Sequence, residues 1–110
     1  MKDILQILKE ANAGRAKHFP DYDKFEEGNI LYYSNALAGE TGELCNLVKK
    51  FYRGDKVTHG QLICFAIEDE VADILIQLDL FCQVAGVNLK DALINKFNSK
   101  SLEIGSNILL

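Results

Sequence analysis

The sequence has a single proline, Pro20, and no Ser- or Pro-rich stretch, repeat or low-complexity tract. Nothing in it reads as a linker, so residues 1–110 are expected to form one helical domain with one core. Lysine and arginine nowhere gather into a basic tail, and the formal net charge is −4. Nonspecific nucleic-acid binding depends on cations that neutralise the backbone, so nucleic acid is not an expected partner. The three cysteines, Cys45, Cys64 and Cys82, lack the C-x-x-C spacing of a zinc site. They lie inside apolar helical patterns and are expected to be buried free thiols in a reducing compartment. No apolar run approaches bilayer length, and Met1-Lys2-Asp3-Ile4 opens an amphipathic segment rather than a signal-peptide core. A cytoplasmic protein without a membrane partner is expected.

What the chain has in plenty is apolar helix. Hydrophobic residues make up 48% of it, a high share for a surface this small, so a second subunit is expected to cover part of them. A homodimer is the default expectation and a homotetramer the alternative. Strand signals are poor throughout, and the periodicity gives four helices. The first runs from about Asp3 to Lys17, followed by an aromatic-containing loop from His18 to Gly28. The second runs from about Ile30 to Arg53, with Asn29 as its N-cap and Gly54 as its stop. The third follows Thr58-His59-Gly60-Gln61, which has the form of a capping box, and extends to Ala85 before Gly86. The fourth opens after Asn88, with Asp91 in its first turn, and ends near Glu103. Short connections between long helices make antiparallel neighbours, and hence an all-α, four-helix-bundle-like fold.

Four acids interrupt this pattern. Glu40 and Glu43 are spaced i, i+3, as are Glu70 and Asp73, so each pair shares a helix face. Tyr33, Leu37, Leu44, Leu47 and Phe51 fall within roughly 60° of Glu40 on a helical projection, and Lys50 shares the edge of that stripe with Glu43. Ile63, Ala66, Ile74, Phe81 and Val84 fall within about 40° of Glu70, with Gln77 beside them. Glu68 and Asp79 project to the opposite side and are expected to face solvent. An isolated acid pair on a helix is more often a solvated face, but two pairs centred on two apolar stripes would be costly without compensation. Protonation, pairing with a cation, or a divalent metal ion would each serve. Lys49, Lys50 and Arg53 are too few for complete pairing, and hard oxygen donors without His or Cys suit Mg²⁺ or Mn²⁺. A di-iron carboxylate bundle would need Glu-x-x-His, and neither His18 nor His59 stands three residues after a glutamate.

At these residues the chain resembles a known family. Asn35-Ala-Leu-Ala-Gly-Glu-Thr-Gly-Glu-Leu-Cys-Asn-Leu-Val-Lys-Lys50 resembles the first motif of the MazG-like, all-α nucleoside triphosphate pyrophosphohydrolases. Glu70-Val-Ala-Asp-Ile-Leu-Ile-Gln-Leu-Asp79 resembles the second, and Lys96-Phe-Asn-Ser-Lys-Ser101 the segment that follows. The likeness runs from about Asn29 to Gly105. It implies cleavage of a nucleoside triphosphate between the α- and β-phosphates, giving a nucleoside monophosphate and pyrophosphate. It also implies that Glu40, Glu43, Glu70 and Asp73 hold Mg²⁺, with Mn²⁺ a possible substitute, to neutralise the triphosphate and activate a water. Glu40, Glu43 and Lys50 would be catalytic. Lys49, Lys50, Arg53 and Lys96 would be phosphate contacts, unless they are merely solvated cations at helix ends, and Asn35 and Asn98 would touch the nucleoside. The chain departs from the family pattern twice: Gly39 stands where many relatives carry a further Glu, and Leu102 and Glu103 stand near Ser101 where an Arg is usual.

The loop residues His18, Phe19, Pro20, Asp21, Tyr22 and Phe25 would either wall a base or pin the loop to the bundle. Two other functions stay open beside the enzyme. One is a catalytically weak nucleotide- or metal-binding module, and the other a helical interaction module whose acids meet a basic partner.

Overall fold

A computed structural model describes all 110 residues. Its helices are α1 (Ile4–Ala16), α2 (Tyr22–Glu26), α3 (Ile30–Tyr52), α4 (Ile63–Ala85) and α5 (Leu89–Glu103). A hairpin of two-residue strands, β1 (Val57–Thr58) and β2 (Gln61–Leu62), joins α3 to α4. The fold is all-α. Side-chain caps mark the starts of three long helices: Asp3 accepts from the Gln6 amide, Asn29 from Tyr32 and Asn88 from Asp91. Gly86 ends α4 at φ 72°, a left-handed geometry that glycine adopts without cost.

The centre of the molecule is the antiparallel pair α3–α4. Gly28, just before α3, lies beside the end of α4 at Val84, and Lys50 near the end of α3 reaches Thr58 just ahead of α4. α1 crosses the far side of α4, and α5 leaves the pair after meeting the start of α1, where Lys90 bonds Asp3 at 2.6 Å. Residue burial is correspondingly centred on α4, which holds Ile63, Ala66, Glu70, Asp79 and Cys82, whereas α5 buries only Ser101.

The structure corrects several expectations. The stretch from His18 to Gly28 is not all loop, because Tyr22–Glu26 forms a helical turn whose Tyr22 and Phe25 rings stack while Phe25 meets Tyr33 edge-on. Thr58 and Gln61 do not cap α4. His59 and Gly60 adopt φ of 48° and 76°, which turns the chain into the hairpin, and the helix begins directly after β2 without a side-chain cap. The Thr58 hydroxyl instead accepts from Lys50 and the Gln61 amide donates to Asp69.

Asp79 does not face solvent either. It is 3% exposed and accepts from Asn12 Nδ2 and Gln83 Nε2, both at 2.8 Å. The projection placed it away from α3 correctly but left out α1, which packs on that side. Cys82 is buried as expected, but Cys45 and Cys64 are exposed, on helix faces that nothing in the chain covers. Phe51 is likewise 60% exposed, although it lies on the projected apolar stripe.

Only nine residues are buried, and the radius of gyration of 16.7 Å exceeds the roughly 13 Å usual for a compact chain of this length. Leu31, Val48, Phe51, Phe65, Val71 and Leu93 all lie at the surface. No helix is long and apolar enough to cross a membrane.

Candidate metal centre

The antiparallel pairing of α3 and α4 sets the first helix's acids against those of the second. Glu40, Glu43 and Glu70 each bring a carboxylate oxygen to a point where all three lie within 4.8 Å of one another. Glu70 is 9% exposed, Glu40 is half-buried and Glu43 is open to solvent. Asp73, one turn further along α4, is exposed at the edge of the group.

No cation compensates these charges directly. Arg53 is bound to Asp55 at 2.8 Å, Lys50 spends a hydrogen bond on Thr58 at 3.1 Å, and no ion pair involves any of the four acids. One oxygen each of Glu40 and Glu70 is buried with no hydrogen-bond partner. Buried polar atoms are ordinarily satisfied, so these two orphaned carboxylate oxygens need an explanation.

The electrostatics agree with the geometry. Glu70 is pushed well above the usual carboxylate range, first by the carboxylate of Glu40 sharing a proton with it, then by burial and by the charges of Glu40, Glu43 and Asp73. Asp73 is raised by burial and by Glu40, Asp69 and Glu43, with Arg15 pulling the other way. Without an ion, a proton held between Glu40 and Glu70 relieves the repulsion. A divalent cation relieves it further, and an all-oxygen donor set with unsatisfied buried oxygens fits a hard cation.

Two cavities open beside the cluster, in opposite directions along the α3–α4 axis. The first, about 170 Å³, is lined by Arg15, Phe19, Tyr33, Asp73, Ile76 and Gln77 among others. The second, about 430 Å³, lies under the hairpin and is lined by Glu43, Lys50, Thr58, His59, Asp69 and Glu70 among others. Of the candidate substrate contacts, Lys50 alone reaches either cavity. Asn35, Lys49 and Lys96 are exposed elsewhere on α3 and α5. Asn98 pins the C-terminus, accepting from the Leu110 amide at 2.8 Å.

Sequence reasoning missed Arg15, whose guanidinium sits 5.5 Å from the Phe19 ring centroid at the mouth of the first cavity. Its spacing of four residues from Phe19 was the available signal. It also missed Asn12 and Gln61, whose partners lie in other elements and leave no local trace.

A family model, the MazG nucleotide pyrophosphohydrolase domain, matches residues 29–102, a span that takes in all four acids, the hairpin and most of α5. No curated protein and no solved structure matches the chain.

Proposed function

The chain belongs to the MazG nucleotide pyrophosphohydrolase family, and from that premise we propose that it hydrolyses nucleoside or deoxynucleoside triphosphates to the monophosphate and pyrophosphate with Mg²⁺. The observation that carries this reading is the convergence of Glu40, Glu43 and Glu70 inside the matched segment, with one buried, unpartnered oxygen on each of Glu40 and Glu70.

Glu40, Glu43, Glu70 and Asp73 are the residues that would hold the cation, with Mn²⁺ as a substitute. When bound, it supplies charge neutralisation for the polyphosphate and acidifies a water molecule. In the reaction, a water oxygen bonds to the α-phosphorus as the bond to the α–β bridging oxygen breaks. The bridging oxygen leaves with pyrophosphate, and the water gives up a proton. Glu43, which is open to solvent, would accept that proton. Lys50 offers its remaining N–H groups to phosphate oxygens. Phe19, 47% exposed, would offer an apolar face for a base in the first cavity, which Tyr33 and Gln77 also line.

The exposed apolar surfaces of α3, α4 and α5 support a homo-oligomer, with a two-fold dimer as its simplest form. Sedimentation of the purified chain at micromolar concentration should give a dimer or tetramer, and a stable monomer would remove this part of the reading.

The function is tested by pyrophosphate release from a panel of NTPs and dNTPs, with Mg²⁺ or Mn²⁺ and an EDTA control. Metal-dependent release with one nucleotide preferred is expected. Absence of release with every nucleotide, alongside thermal stabilisation by metal and nucleotide, would replace the enzyme with a binding module.

A further inference from the structure

The two cavities beside the acid cluster differ in chemistry, and the difference orients the substrate. The first is walled by aromatic and aliphatic side chains, Phe19, Tyr33, Ile76 and Leu80. The second has no Phe, Tyr or Trp in its wall, and most of its lining residues are polar: Asn46, Lys50, Thr58, His59 and Gln61 carry donors. Tyr33 and Lys50 stand on opposite sides of Glu40, about 10 and 15 Å away along α3 at 1.5 Å per residue. An extended nucleotide with its α-phosphorus at the cluster therefore has a stacking surface at one end and a donor-rich cavity at the other.

The hairpin that roofs the second cavity is held in place from both helices. Its strands pair Val57 with Leu62 and Thr58 with Gln61, the Ile63 amide donates to Lys56 at 2.9 Å, Lys50 ties Thr58 to α3, and Gln61 ties the turn to Asp69 on α4. His59 is at the tip, in a left-handed conformation at φ 48° that places a side chain where Asn or Gly is the usual occupant. His59 lines the same cavity as Lys50, Glu43 and Glu70.

We propose that this hairpin cavity is the leaving-group subsite, in which Lys50 and His59 hold the β- and γ-phosphates and then the released pyrophosphate. The inference rests on the hydrolase reading above, and adds to it the direction in which the substrate lies and a second phosphate-binding residue. Glu43, Asp69 and Glu70 also line the cavity, so the anion enters only together with a divalent cation. The hairpin's attachments to α3 and α4, through Thr58 and Gln61 on either side of the turn, hold the backbone that carries His59.

The test is calorimetric titration of inorganic pyrophosphate, in the presence of Mg²⁺, into the wild-type chain and into His59→Asn and Lys50→Met. Asn is favoured at the left-handed position before Gly60, so His59→Asn removes the imidazole while keeping the turn. Each variant should bind pyrophosphate at least about tenfold more weakly, as expected on losing a hydrogen bond to a charged group. Binding of the product monophosphate should be unchanged in both. Wild-type pyrophosphate affinity in His59→Asn, an equal loss of monophosphate affinity, or no pyrophosphate binding by the wild type would each overturn the subsite. A wild-type chain that cleaves triphosphates while His59→Asn binds pyrophosphate normally would sink the subsite alone. One that cleaves none would sink the hydrolase reading.

Discussion

Helix α4 carries two buried acids, Glu70 and Asp79, that are treated in opposite ways. Asp79 is 3% exposed, and the amides of Asn12 and Gln83 donate to it; each of those amides is in turn anchored to a backbone carbonyl, of Ile76 and of Lys9. Glu70 is nearly as buried, yet one of its oxygens has no partner and its closest charged neighbours are two more glutamates. Asp79 therefore serves the fold by joining α1 to α4. Glu70 has no such partners, and a proton shared with Glu40 or a cation between the helices would relieve its repulsion. A buried acid marks a site when its neighbours leave it unsatisfied, and burial by itself does not distinguish the two.

The largest effect that would sharpen this contrast is on turnover. Glu40→Gln keeps the volume and removes a charge from the cluster, so metal-dependent pyrophosphate release should fall by about a thousandfold or more. Thermal melting of the metal-free variant should show a fold as stable as the wild type or more so, because repulsion is relieved. An active Glu40→Gln would break the contrast from the catalytic side.

Asp79→Ala should do the reverse. It leaves one N–H of the buried Asn12 amide and one of the half-buried Gln83 amide without the carboxylate, at a cost of about 1–3 kcal/mol in urea denaturation, while the folded variant keeps its metal-dependent activity. A variant as stable as the wild type would mean that Asp79 does not join α1 to α4.

A smaller effect should appear with pH in metal-free protein. Glu70 titrates higher in the folded chain than in the unfolded one, so its contribution to stability is fully present below the ordinary carboxylate pKa of 4.5. That contribution is lost as the pH rises toward the folded value of about 8. Thermal melts across that window should show stability declining, with a shallower decline in Glu40→Gln. Added Mg²⁺ should reverse the trend, because the ion binds the deprotonated cluster. Smallest of all is Lys90→Met, which removes the exposed ion pair to Asp3 and should leave the melting temperature almost unchanged.

The same contrast shows how far the sequence was legible. Helical periodicity located all four long helices, and Asn29, Gly86 and Asn88 marked their ends, because caps and apolar stripes are local properties. The acids facing each other across α3 and α4 were legible for the same reason: each pair sits on its own helix's apolar stripe. Asp79 was not, since its partner Asn12 lies on α1, 67 residues away in the chain. The hairpin was hidden because Thr58 and Gln61 match a capping box, and only the left-handed backbone at His59 and Gly60 decides between the two structures. Asn98 was read as a nucleoside contact but is held by the C-terminal Leu110, a pairing that no local pattern announces.

The most direct test is Mn²⁺ titration followed by electron paramagnetic resonance on the wild type, Glu70→Gln and Asp79→Asn. The expected result is that the wild type and Asp79→Asn bind Mn²⁺ alike, while Glu70→Gln loses at least about tenfold in affinity, as loss of a charged ligand from a carboxylate site would cause. Equal binding by Glu70→Gln and the wild type would contradict the assignment of the α3–α4 acids as a metal centre.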